Sequence, residues 1–178
     1  MRWRAWGCSY EGVLVIKRGD VITGLRLLRD AFEELGEANV AFRYLTFLGE
    51  MPEAVSRTGQ IPPWLAAIDE ALAWTEQTES RWPIAELLRV KGELLLLQGA
   101  PGAVAAAEDH FRQALNWARR QGALSWELRA TTSLARLWHY QTRTKDAEAL
   151  LSSVYSRFTE GFDTVDLKMP VHCSTSFV

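Results

Sequence analysis

The stretch Ala107-Glu108-Asp109-His110-Phe111-Arg112-Gln113-Ala114-Leu115, continuing to Ala118, decides the fold. Its apolar residues fall at i, i+4, i+7, i+8 and i+11 with charged and polar side chains between them, the spacing of one buried face on an α-helix. The period predicts a helix over 103–121. Gly122 follows where a left-handed C-cap is expected, and a second apolar stripe starts at Leu124 and runs through Leu128, Ala135 and Trp138. Two helices therefore meet through a tight turn.

The triplet Ala107/Phe111/Ala114 recurs as Gly24/Leu28/Ala31, Trp64/Ile68/Ala71 and Ala147/Leu151/Val154, with third positions at 31, 71, 114 and 154. Recurrence at such steps is the mark of stacked copies of one unit, none of which buries its apolar face alone. The chain reads as all-α, with about four antiparallel helix pairs: 3–18 with 20–35, 39–53 with 61–77, 82–98 with 103–121, and 124–141 with 144–159. One repeat domain is expected over 1–160, in units of about 1–36, 37–79, 80–122 and 123–160. A turn and a loose tail over 161–178 follow, because Met169 to Ser176 carries no helical period. Asp20, Ser80 and Thr144 are expected N-caps, Pro83 suits a first turn, and Gly36, Gly99 and Gly122 are expected stops. Gly12, Gly49, Gly92 and Ala135 lie at matching places in the first helix of each pair. Glycine inside a helix costs about 1 kcal/mol against alanine, so its recurrence points to close helix approach.

Composition narrows the function. Of 178 residues, 48% are hydrophobic and 24% charged, enough for a globular core, and the formal net charge is −2. Affinity for nucleic acid or an anionic membrane leans on clustered Lys and Arg, and here the 20 basic residues are interspersed with 22 acidic ones. Neither partner is expected. Cys8 and Cys173 stand alone near the two ends, which indicates no disulfide framework and no zinc site. No apolar run approaches the roughly 18–20 residues of a membrane span, and Met1-Arg2-Trp3-Arg4 does not open a secretory signal. A cytoplasmic location is the expectation.

Nothing in the chain assembles a reactive centre. His110 lies between Asp109 and Phe111 as a solvated helix position, and His139 sits beside Trp138 and Tyr140 as a groove-lining candidate. Neither has a ligand partner at metal-binding spacing. His172 and Cys173 fall in the tail, where no held geometry supports a nucleophile. The carboxylate pairs Glu33/Glu34, Asp69/Glu70 and Glu108/Asp109 are successive residues, which on a helix do not share a face. The serines lack a GxSxG context. No enzyme, metal or cofactor is expected.

In stacked pairs the first helices line the concave face. Alignment on Gly49, Gly92 and Ala135 selects Arg43, Thr46 and Glu50, then Glu86, Arg89 and Glu93, then Arg129, Thr132, Arg136 and His139 as a groove for a protein or peptide partner. The same residues also suit ordinary helix-surface pairing, Glu86 with Arg89 and Arg89 with Glu93. Trp64, Trp117, Trp126 and Trp138 fall at packing positions. Trp3 and Trp6 lie in a first helix with no preceding repeat to cover it, so self-association there, as a homodimer, is expected.

The small and bulky pattern resembles the tetratricopeptide repeat in a longer form of about 40 residues. The stretches Glu86-Leu-Leu-Arg-Val-Lys-Gly-Glu-Leu-Leu-Leu, Ala107-Glu-Asp-His-Phe-Arg-Gln-Ala-Leu, Ala118-Arg-Arg-Gln-Gly-Ala, Trp126-Glu-Leu-Arg-Ala-Thr-Thr-Ser-Leu-Ala-Arg-Leu-Trp and Phe158-Thr-Glu-Gly-Phe-Asp-Thr look like the C-terminal repeat region of bacterial signalling proteins. In those, a nucleotide-cyclase or DNA-binding domain is joined to a STAND-type ATPase and then to repeats. The resemblance implies a right-handed superhelical array serving as a non-catalytic interaction or regulatory module, or, alternatively, as an arm that senses a small molecule or peptide. It brings no active site. The chain has no GxxxxGK[ST] phosphate loop, and Met169-Pro170 interrupts the helix with which such regions continue, so a free-standing or truncated arm is expected.

Overall fold

The computed structural model describes residues 2–35, 55–56, 59, 61–164 and 166–168. These form helices α1 (Arg2–Lys17), α2 (Val21–Leu35), α3 (Ile61–Gln77), α4 (Ile84–Gln98), α5 (Ala103–Gln121), α6 (Leu124–Tyr140) and α7 (Thr144–Tyr155), and no strand occurs among the described residues. The chain divides into two compact units, Met1–Pro83 and Ile84–Val178. The expected 39–53 helix, with Arg43, Thr46, Gly49 and Glu50, and the stop at Gly36 lie outside the described residues.

In the first unit α1 and α2 form an antiparallel hairpin. Asp20 caps α2 as expected, its Oδ1 accepting from Thr23 N at 3.1 Å. The hairpin is tight because two glycines face each other. A Cβ on Gly24 would stand 2.7 Å from the Gly12 carbonyl oxygen, and one on Gly12 would stand 2.9 Å from the Gly24 carbonyl oxygen. Leu28, Ala31 and Ala5 fill the seam, and Ile68 and Ala71 are the buried residues of the matching triplet on α3.

The second unit is two helix pairs, α4 with α5 and α6 with α7, in which α6 packs on both α5 and α4. Gly92 of α4 lies against Phe111 of α5, so close that a Cβ would be 2.5 Å from the ring. Ala107, Phe111 and Ala114 are all fully buried, as are Ala135 and Ala147, with Leu151 and Val154 nearly so. The Gly122 expectation holds in detail. Gly122 is left-handed (φ 64°), Ala123 N donates to Ala118 O and Gly122 N to Arg119 O, the paired bonds of a Schellman stop.

Three local expectations are corrected. α4 starts at Ile84, after a turn through Trp82 and Pro83, and not at 82. Thr144 is the first residue of α7; Arg143 takes the N-cap place without a side-chain bond to the backbone N–H groups of the first turn, its guanidinium bonding the Asp146 carboxylate instead. α7 stops at Tyr155, short of 159, because Arg157 N and Phe158 N bond three residues back, to Val154 and Tyr155, and tighten the chain into a turn.

Candidate interaction face

The charged residues selected on the first helices come together between α4 and α6. Glu86 takes a two-pronged bond from Arg89 one turn on, Nε to Oε2 at 2.9 Å and Nη2 to Oε1 at 2.8 Å. Arg129 Nη1 reaches Glu86 Oε1 at 3.1 Å, and Arg136 Nη2 reaches Glu93 Oε1 at 3.0 Å. Both partners are 43 residues apart. That is also the separation of Gly92 from Ala135, so each arginine sits on the residue holding its own place in the preceding helix. The layers stack without slippage, acid under arginine. Ser133 Oγ donates to Glu93 Oε1 at 2.6 Å, Arg89 Nη1 lies 3.7 Å from it, and Arg129 Nε passes on to Asp166 at 2.9 Å.

This differs from an open groove lined with free charges. Glu86 is 2% and Arg89 7% exposed. Three carboxylates, Glu86, Glu93 and Asp166, balance three guanidiniums, Arg89, Arg129 and Arg136. Burial pushes the Glu86 carboxyl up, but Arg89 and Arg129 outweigh it and hold the group below its ordinary range. Burial likewise opposes the Arg89 charge, yet Glu86, with Glu93 and Asp166 behind it, keeps it more firmly protonated than usual. Burying an ion pair is justified only where further partners satisfy its members, and here the arginine of the next layer supplies a bond to Glu86 while Glu93 faces Arg89 at 3.7 Å. Thr132 is buried too, its Oγ1 turned back to Leu128 O at 2.8 Å. The helix-surface pairs expected as the ordinary alternative, Glu86 with Arg89 and Arg89 with Glu93, are therefore present, but inside the stack.

What remains outward is the rim of α6. Arg129 and Arg136 are partly exposed beyond their ion pairs, and His139 is half-buried, its Nδ1 3.4 Å from Thr144 Oγ1. The neighbouring Tyr140, its ring centroid 6.4 Å from that of His139, is 85% exposed. In the first unit Trp3 is 87% exposed, with Tyr10 and Leu14 also outward on α1, whereas Trp6 is half-buried.

Two further clusters escaped the sequence reading. Glu108 Oε1 accepts from Trp138 Nε1 at 2.9 Å, Arg112 Nη2 at 2.8 Å and Arg143 Nη1 at 3.3 Å, and both guanidiniums lie over the Trp138 ring. Burial raises the Glu108 carboxyl, but the bonds from Trp138 and Arg112 prevail and lower it. Glu127, buried in the first turn of α6, accepts from Arg119 Nε at 2.9 Å and Arg157 Nη1 at 2.6 Å. The acids lie 35 and 30 residues from their long-range arginines, separations that are not the repeat step, so no periodic signal announced them. The 43-residue pairs were not drawn from the sequence either, but a signal for them was there: opposite charges stand at the same place in successive units.

Among the described residues no helix is long and apolar enough to cross a membrane, and no three His, Cys, Asp or Glu side chains converge as metal ligands. No family model matches the chain, and no curated protein or solved structure matches it.

Proposed function

We propose that the chain is a tetratricopeptide-like repeat module that binds a protein or peptide partner and performs no chemistry of its own, working in the cytoplasm as a regulatory arm of the STAND type. The observation that carries this reading is the in-register stacking of α4 and α6 through pairs 43 residues apart. Stacking of equivalent positions is how repeat arrays build extended surfaces from small units. Glu86 and Arg89 are buried in that stacking, so recognition falls to the rim: the partly exposed Arg129 and Arg136, His139 and the exposed Tyr140. An aromatic with a polar tip beside arginines is the chemistry that interfaces favour.

The test is capture of a stoichiometric binding protein from native cytosol on immobilised wild-type chain, followed by Tyr140→Asp and Arg136→Ser. Loss of the captured protein in Tyr140→Asp at an unchanged melting temperature, and in Arg136→Ser with the helical signal retained, supports the rim. Undiminished capture by both variants moves the partner to another face, and a retained small molecule in place of a protein overturns the reading in favour of a sensor arm. Reversal of Arg89 is unsuited to this purpose, because its burial makes Arg89→Glu a test of folding.

A further inference from the structure

The last described segment of the chain closes the end of the second unit. Beyond α7, Gly161 adopts a left-handed conformation (φ 79°), and Thr164 bonds back to its carbonyl through both N, at 2.9 Å, and Oγ1, at 2.7 Å. Asp166–Lys168 then makes a single helical turn, with Lys168 N on Thr164 O at 3.0 Å. Leu167, 3% exposed, enters an apolar cluster with Leu128 and Val154, edged by Leu124, Tyr155 and Phe158. Asp166 Oδ2 accepts from Arg129 Nε at 2.9 Å.

One turn of helix does not sustain itself in water, because nucleation fixes several residues for one hydrogen bond. The order of this turn is therefore supplied by the surface it sits on. That surface makes two demands. Without Asp166, the ladder holds three guanidiniums, Arg89, Arg129 and Arg136, against two carboxylates, Glu86 and Glu93, and it lacks one negative charge beside Arg129. Without Leu167, Leu128 and Val154 lose their apolar cover. Asp166 thus joins Glu86 on Arg129, one acid accepting from Nε and the other from Nη1 of a single guanidinium. The segment presents what a further stacked helix would have to present.

We propose that the surface formed by Leu124, Leu128, Arg129, Val154, Tyr155 and Phe158 is a docking site for a helical turn bearing an acid followed directly by leucine, and that Asp166-Leu167 occupies it as an internal competitor. The partner is a peptide segment of that chemistry on another protein. The proposal concerns the end of the second unit; it shares Arg129 with the rim but rests on none of Arg136, His139 and Tyr140. A tethered competitor acts at an effective concentration on the order of millimolar, so an outside segment displaces it only if it binds tightly or if the tether is loosened.

The experiment uses a fluorescent peptide with the sequence of residues 159–168 and full-length chains, read by anisotropy. Leu167→Ser, which releases the internal turn, is expected to bind the peptide saturably and about tenfold or more tighter than wild type, as removal of a tethered competitor requires. Peptides with the acid replaced by lysine, or the leucine by serine, are expected to lose that binding. No saturable binding to a helical Leu167→Ser chain, equal binding to it and to wild type, or indifference to the two peptide changes each overturns the proposal. Should Leu167→Ser lose its helical signal, Asp166→Lys carries the same test with the leucine retained, since repulsion from Arg129 alone loosens the turn.

Discussion

Gly92→Ala is the substitution whose sign separates local helix preference from packing of the repeat. Within α4, alanine in place of glycine favours the helix by about 1 kcal/mol. Against this, the new Cβ would lie 2.5 Å from Phe111 Cε1, 2.8 Å from Cδ1 and 3.1 Å from Cζ, where ordinary contacts begin at 3.4 Å. The ring must retreat by roughly 1 Å, and Phe111 is fully buried, so it retreats into occupied space. Overpacking of this kind costs about 1–3 kcal/mol, which leaves a net loss of roughly 0–2 kcal/mol. Phe111→Leu alone loses buried volume and is expected to cost about 1–2 kcal/mol. The double variant holds Ala and Leu, the residues found at 135 and 151 in the following pair, and is expected to be more stable than the sum of the single losses by about 0.5 kcal/mol or more. Urea unfolding followed by circular dichroism measures all four proteins. A midpoint raised by Gly92→Ala, or strict additivity in the double variant, refutes the claim that this glycine exists to admit the Phe111 ring.

Gly24→Ala is expected to be more damaging than Gly92→Ala in the same assay, because its Cβ meets the backbone oxygen of Gly12 and α1 and α2 would have to part. Glu86→Gln removes the charge that two arginines share and is expected to destabilise by about 3–5 kcal/mol, whereas Glu86→Leu with Arg89→Met is expected to be far milder, as apolar replacement of a whole buried pair often is. With the Glu86 carboxyl held below its ordinary 4.5, its contribution is fully present above that value and is lost as the pH falls through the lower folded value. Wild type is therefore expected to lose stability in acid more steeply than Glu86→Gln, and parallel acid limbs in a pH series of melting temperatures would contradict this. Thr142→Gly is expected to stabilise by about 1 kcal/mol, since a β-branched residue at φ 63° pays a steric cost that Gly99, at φ 65° in the preceding pair, does not; a lowered melting temperature would show that the threonine earns its place through its hydroxyl. Light scattering at micromolar concentration addresses self-association: a dimer is expected that becomes monomeric in Trp3→Ser with Tyr10→Ser, and a monomeric wild type ends the idea.

The helices of the second unit were legible because period, triplet and stop signals agreed there. α5 matches its expected bounds of 103–121, and Gly122 supplies the stop that the sequence proposed. The ends of α4 and α7 were less legible, since Pro83 and the stretch Ser156 to Phe158 allow either a helix or a turn locally and the choice rests on tertiary bonds such as Arg157 to Glu127. Thr142 shows the same limit from the other side. Its left-handed backbone completes a Schellman-type stop, with Thr142 N on His139 O and Arg143 N on Trp138 O, yet nothing in a threonine announces it. Only its place, 43 residues after Gly99, does so.

For the candidate face, Glu86, Arg89, Glu93, Arg129 and Arg136 of the selected set lie together, and their pairing across units becomes legible only when the units are compared. A stripe of charges on one helix reads the same whether it faces water or another helix, because i,i+3 and i,i+4 pairs form in both cases. Charges at one place in successive repeats carry the missing information. Like signs there would repel at the close spacing of stacked helices and must face solvent or a ligand, whereas opposite signs draw the layers together. Glu86 with Arg129 and Glu93 with Arg136 are of the second kind, and both are ion-paired in the structure at about the length of a direct hydrogen bond. Tyr140 is of neither kind: it has no charge to pair and follows the last buried turn of α6, so its outward position is set by where that helix ends. A partner surface is consequently to be sought first where the pairing between α4 and α6 stops, at the exposed end of α6 around Tyr140, and not at the buried Glu86 and Arg89.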